Sequence, residues 1–203
     1  MLKSSYQEYY IEAGCDEAGR GCLAGPVFAA AVIFSKNFTN NSINDSKKLN
    51  KKQRDELRIV IENESIAWAV SKVDANEIDE INILQASMLA MTRAVQALSI
   101  RPDWVWVDGN HFPKGLVAAQ YTGGAMIKGD AKESAISAAS ILAKVARDTD
   151  CLRLDALYPE YGFAQHKGYP TAAHLKALQQ HGATPEHRMS FAPVQTLQFK
   201  TKK

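Results

Sequence analysis

GCDEAGRGCLAGPV, residues 14–27, is the stretch from which the fold can be worked outward. It joins two apolar segments: Tyr9–Cys15 reads as a strand, and Val27–Phe34 (VFAAAVIF) is a continuous apolar run of buried-strand length. The Gly-rich turn Glu17–Gly25 between them is short, which predicts a hairpin. Asp16 and Glu17 stand where the first strand gives way to that turn. Neighbours in a regular strand face opposite sides, so both acids can share one site only if the strand ends or bulges there. Glycines at positions 14, 19 and 21 make such a departure easy.

Beyond this hairpin, Lys51–Asn63 reads as a helix, with Leu57, Val60 and Ile61 on one face, and Ser65–Val73 as a strand. Apolar positions from Ala75 to Leu98 recur at helical spacing, enough for one or two helices. WVWV at 104–107 is a strand that runs directly into Asp108-Gly109-Asn110, so an acid emerges from a buried strand into a turn. A further short strand is expected within Ala118–Ile127, ending at Lys128-Gly129-Asp130. Glu133–Leu157 is a long helix whose first half carries mostly Ala and Ser, slim enough to approach a sheet closely. The loop YGFAQHKGYPT, a helix around Ala172–Gln180 and a tail with Pro185 and Pro193 complete the chain. Early strands followed mostly by helix predict α/β or α+β architecture with one mixed sheet.

With 203 residues, 46% of them hydrophobic, one compact domain is the simpler expectation. No stretch approaches the roughly 20 apolar residues of a membrane span, and MLKSSYQEYYIEAG lacks the apolar core of a secretory signal, so a cytoplasmic protein is expected. Cys15, Cys22 and Cys151 are odd in number and lack metal-ligand spacing, which fits reduced thiols. Net charge is only +2, but cations are clustered. Residues 165–203 hold Lys167, Lys176, Arg188, Lys200, Lys202 and Lys203 against Glu186 alone. Lys47, Lys48, Lys51, Lys52, Arg54 and Arg58 form a second cluster. Two such regions could flank a phosphate backbone, although each alone reads equally well as a solvated face.

Asp16, Glu17, Asp108 and Asp130 all stand at strand ends or in the turns after them. Crowded carboxylates repel unless cations neutralise them, and an all-oxygen donor set without a His/Cys partner set suits Mg²⁺ or Mn²⁺ rather than zinc. The five histidines show no metal-ligand spacing. Two divalent ions roughly 3.5–4 Å apart can activate a water and stabilise a leaving oxygen in phosphodiester hydrolysis. Residue chemistry by itself supports a divalent-metal hydrolase and nothing finer.

The literal residues say more. GCDEAGRGCLAGPV resembles the N-terminal signature of ribonuclease HII, and further matches follow in order: NDSKKL at 44–49, NILQASMLAM at 82–91, VDGN at 107–110, KGDAKESAISAASILAKVARD at 128–148, YPEYGFAQHKGYPTAAH at 158–174 and HRMSFAPV at 187–194. The resemblance implies an α/β ribonuclease H-like fold, a mixed sheet flanked by helices, in a single catalytic domain over 1–203 whose C-terminal helical portion, about 158–203, helps hold the duplex. It implies a monomeric endoribonuclease that cuts the RNA strand of RNA–DNA hybrids and nicks 5′ of single ribonucleotides in DNA duplexes, leaving 3′-hydroxyl and 5′-phosphate ends. Asp16, Glu17, Asp108 and Asp130 become the metal-binding catalytic acids, with Mg²⁺ or Mn²⁺ as cofactor and two ions in the substrate complex; Asp148 and Asp150 are the other acids near the helix after Asp130.

By the same resemblance Gly19-Arg20-Gly21 reads the ribonucleotide, since glycine exposes backbone groups to a 2′-hydroxyl, and Tyr169 packs on the sugar beside the junction. Lys47, Lys48, Lys167 and Arg188 are candidate phosphate contacts. Cys22 stands where the family pattern leads us to expect proline, as a small buried hydrophobe or a reactive thiol. The tail TLQFKTKK, with Phe199, could be a basic arm or reach a sliding clamp. The related HIII branch has an additional N-terminal domain, for which a first acid at residue 16 leaves no room.

Overall fold

The computed structural model describes residues 2, 3, 5, 10–40, 42, 43 and 49–200, with backbone alone for 197–200. Lys47 and Lys48 therefore lie outside the described residues. Five strands form one mixed sheet: β1 (Glu12–Ala18), β2 (Val27–Ile33), β3 (Ala67–Val73), β4 (Trp104–Asp108) and β5 (Gly123–Met126), in the order β3-β2-β1-β4-β5. β1–β2 and β2–β3 are antiparallel, whereas β1–β4 and β4–β5 are parallel. The helices are α1 (Lys51–Glu64), α2 (Ala75–Ile81), α3 (Ile83–Gln96), α4 (Lys114–Ala118), α5 (Ser134–Leu157), α6 (Phe163–His166), α7 (Ala172–His181) and α8 (Ala192–Lys200).

β2 is buried throughout because it is covered on both faces, which is why its sequence is uninterruptedly apolar. Ala29, Ala31 and Ile33 pack with Ala86, Ala90 and Met91 of α3, and Ala30 and Val32 with Ala138, Ala139 and Leu142 of α5. α5 comes closest at Gly14, where a Cβ would stand 2.2 Å from the Ile136 backbone nitrogen. The small residues of α5 and the missing side chain at Gly14 thus serve one close approach. α1 starts on a capping box, Asn50 and Gln53 each satisfying the other's backbone N–H. Asn82, at φ 68°, ends α2, and its side chain accepts from the Leu84 and Gln85 amides to start α3, so the 75–98 segment makes two helices.

Two expectations need correction. β1 begins at Glu12 and continues through Asp16 and Glu17 to Ala18, because β2 still pairs with it there. The 118–127 segment starts as the end of α4, and its strand begins only at Gly123. The tail carries a helix, α8, over 192–200.

The segment after α5 folds back on the 19–25 loop. Leu23 N–H donates to Gly168 O (2.7 Å), Gly25 N–H to Glu186 O (2.8 Å) and Arg188 N–H to Leu23 O (2.8 Å). Beneath these bonds Leu23, Ala24, Leu154, Tyr161, Phe163, Leu178 and Val194 form a third apolar cluster.

Candidate active site

The two ladders on β1 stop at different points. β2 pairs with it as far as Ala18, but β4 pairs only to Cys15↔Val107 and then ends at Asp108. Glu17 therefore lies beyond the parallel partner, where the sheet has opened, and no bulge is needed for it and Asp16 to reach one site. Asp16, Glu17 and Asp108 line a single cavity of about 400 Å³, together with Gly19, Arg20, Gly21 and Tyr169. The structure thus brings together three of the four expected acids and the residues expected to read the ribonucleotide.

Burial first, then the charges of Glu17 and Asp108, pushes the Asp16 carboxyl well above the usual carboxylate range, against an opposing hydrogen bond from Ser140. Burial likewise raises Glu17, against the pull of Arg20, whose Nη1 donates to Glu17 Oε1 at 3.2 Å. Asp16 Oδ1 accepts the Glu17 amide at 2.7 Å. Carboxylates so disfavoured as anions are a donor set that a hard divalent cation would stabilise, so the residues fit Mg²⁺ or Mn²⁺.

Asp130 is placed differently. It is buried in the 3₁₀ turn Gly129–Ala131 and does not line the cavity, although that turn is anchored to it: Asp108 Oδ1 accepts the Gly129 amide at 2.7 Å. Among the described residues, no three His, Cys, Asp or Glu side chains stand together at metal-binding spacing. Asp148, the alternative acid, is surrounded by cations: Lys144 Nζ at 2.8 Å, Arg147 Nη2 at 3.1 Å and Arg54 Nη2 at 3.6 Å.

Arg188 is not a surface phosphate contact. It is fully buried, donating from Nε to Gly25 O (3.0 Å) and from Nη1 to Arg20 O (2.9 Å), so it holds the shape of the 19–25 loop. Its position in a basic tail suggested a solvated cation, and only the fold-back over 19–25 buries it. Arg188→Met leaves the buried Gly25 carbonyl and the partly buried Arg20 carbonyl without this donor and is expected to cost about 2–4 kcal/mol in urea unfolding; a loss below about 0.5 kcal/mol would rule out the bracing role. Lys167 takes the left-handed conformation (φ 53°), and its carbonyl accepts from Arg147 Nη1 and Cys22 Sγ. Burial raises the Cys22 thiol, as it does Cys15 and Cys151, and all three cysteines are free and buried. Cys22 is thus a small buried side chain, as one of its two readings held.

Tyr169 is held from behind by histidines. Thr184 N–H donates to His187 Nδ1, so the proton shared between His187 Nε2 and His174 Nε2 (3.1 Å) belongs to His187, and His174 Nδ1–H then donates to Tyr169 O (3.0 Å). Both rings are fully buried, and burial lowers each pKa to about 4. Since the unfolded chain protonates near 6.5 and the fold resists it, the stability these rings confer is complete above pH 6.5. It falls as pH drops towards 4, by about 3 kcal/mol for either histidine taken alone. Chemical denaturation of the wild type and His187→Gln at pH 7.5 and 5 checks this. The variant should lose less stability on acidification, and equal losses would remove the pair as the cause.

Ser140, Lys144 and Arg54 also line the cavity and were missed from sequence. The 140/144/148 spacing was the available signal, since it puts those residues on one helix face.

Comparison with known proteins identifies the family. The ribonuclease HII of Chromobacterium violaceum is 57% identical over 182 residues, 90% of each chain, and that of Bacteroides thetaiotaomicron 58% identical over 191 residues, 94% of each. Among solved structures, ribonuclease H2 from Pyrococcus horikoshii OT3 superposes with a TM-score of 0.79 at 29% identity, covering 95% of this chain and 99% of that one. The RNase HII of the PCNA:RNase HII complex from Archaeoglobus fulgidus gives 0.75 at 25%, covering 89% and 95%. Bst-RNase HIII in complex with Mn²⁺ gives 0.70 at 16% identity over 95% of this chain and 70% of that one, a likeness of fold alone. With a family match that spans residues 13–194, the chain belongs to the ribonuclease HII family.

Proposed function

We propose that this ribonuclease H nicks DNA duplexes 5′ of single ribonucleotides as well as cutting the RNA strand of RNA–DNA hybrids, leaving 3′-hydroxyl and 5′-phosphate ends. The observation that carries this reading is the single cavity in which Asp16, Glu17 and Asp108 meet the Gly19-Arg20-Gly21 loop and Tyr169. Asp16, Glu17 and Asp108 hold divalent ions, Mg²⁺ or Mn²⁺, two of them in the substrate complex. When bound, such ions lower the pKa of an attacking water and stabilise the leaving 3′-oxygen. Asp130 completes the donor set from the turn fixed to Asp108. The exposed backbone of Gly19 and Gly21 addresses the 2′-hydroxyl, Tyr169 packs on the sugar, and Arg20 contacts phosphate. Lys47, Lys48 and Lys167 extend the phosphate track.

Purified protein with Mg²⁺ or Mn²⁺ should nick a duplex carrying one ribonucleotide; no cleavage with either ion would refute the proposal. Running the same assay on a long hybrid measures the balance between the two substrates.

One chain carries all four acids, which supports action as a monomer. No helix among the described residues is long and apolar enough to cross a membrane, and three free thiols suit a reducing cytoplasm. The Archaeoglobus neighbour was solved with PCNA, which supports a sliding clamp as partner of the 196–203 tail containing Phe199. Deleting those residues should abolish clamp binding, and unchanged binding would remove the proposal.

A further inference from the structure

Behind the acid cavity, cations of α1 and α5 gather round one carboxylate. Asp148, nearly buried on α5, is approached by Lys144, Arg147 and Arg54, three cations around one carboxylate. The side chains are largely covered, Arg54 being 14% exposed, Lys144 24% and Arg147 3%. Arg147 does not line the cavity; its guanidinium lies 4.9 Å from the Tyr169 ring centroid, and its Nη1 is spent on the Lys167 carbonyl. Arg54 and Lys144 do line it, beside Asp16, Glu17 and Asp108. Lys144 comes from α5 one turn beyond Ser140, Arg54 from α1 packed alongside, and both pair with Asp148.

We propose that Arg54 and Lys144 form a clamp for a backbone phosphodiester of the bound duplex, adjoining the one that is cut, and that Asp148 is the positioning residue that aims them. This rests on the nuclease reading above and assigns Asp148 to the cations instead of the metal. Guanidinium and ammonium at the cavity wall match a phosphate's charge and its acceptor oxygens. Asp148, in contrast to the acids of the cavity, has its charge taken up inside the protein.

The test measures affinity for a duplex carrying one ribonucleotide, by fluorescence anisotropy in EDTA over a salt series, with thermal melting as a check of folding. Lys144→Met and Arg54→Met should each weaken binding about tenfold or more and flatten the slope of log K against log salt by about 0.9. Lys144→Arg should restore the slope. Asp148→Asn discriminates by sign: removing a negative charge would tighten binding to a polyanion if only overall charge mattered, whereas loss of aim weakens it and flattens the slope. Unchanged slopes in both Met variants overturn the clamp, and tighter or unchanged binding by Asp148→Asn overturns its positioning role. Because binding is read without turnover, a wild type that binds but fails to nick would sink the nuclease reading separately.

Discussion

Asp16→Asn and Asp108→Asn are each expected to reduce nicking of a single-ribonucleotide duplex by at least about 10³-fold with Mg²⁺ or Mn²⁺. Asparagine keeps the shape and the hydrogen bonds to Glu17 N–H or Gly129 N–H, so the loss is one of charge. In the wild type, burial and the neighbouring carboxylates hold Asp16 well above its usual pKa, a cost that folding bears for the sake of the site. Asp16→Asn should therefore melt no lower than the wild type and be more stable by about 1 kcal/mol, while still binding duplex. Single-turnover kinetics and thermal melting decide the matter. An Asp16→Asn enzyme within tenfold of wild-type activity would remove that carboxylate from the chemistry, and a markedly lower melting temperature would make its role structural.

Gly14→Ala is expected to do large damage of another kind, to stability. The added methyl would sit 2.2 Å from Ile136 N and 2.3 Å from the Ala135 carbonyl carbon, both backbone atoms of a helix that cannot turn aside as a side chain could. α5 must lift off β1, which loosens both the Ala139/Leu142 contacts with β2 and the Ser140–Asp16 bond. A loss of more than about 3 kcal/mol is expected, a large part of a stability of about 5–15 kcal/mol. Gly109→Ala is the control: nothing lies within 4 Å there, and its φ of 111° leaves backbone strain of about 1–2 kcal/mol as the only cost. Urea unfolding of the two variants should separate them clearly. A Gly14→Ala loss below about 1 kcal/mol would show that helix and strand can part without harm.

These contrasts show what could be read from the amino acids and what could not. Val27–Ile33 declared itself because a strand covered on both faces needs apolar residues throughout, and the slimness of Ser134–Ala143 foretold a close approach without naming Gly14 as its other half. The end of β1 was misplaced because the two ladders on it stop at different residues, and a pairing limit leaves no mark in local composition. α4 is too short at five residues to show periodicity. For the site, the motif around Asp16 and Glu17 carried the family, while Arg54 and Asp148 lie almost a hundred residues apart in sequence and meet only through the packing of α1 on α5. Arg188 was misread for the same reason, since its burial depends on a contact with a loop near the opposite end of the chain.

That last contact has a bearing on how the protein is made. The loop expected to address the ribonucleotide is fastened by Gly168, Glu186 and Arg188, so synthesis from the N-terminus delivers the acids early and their restraint almost last. A nascent chain, or one cut short by a premature stop before residue 186, carries the carboxylates without the bonds that fix the 19–25 loop. The shape of the 19–25 loop is thus tied to completion of translation.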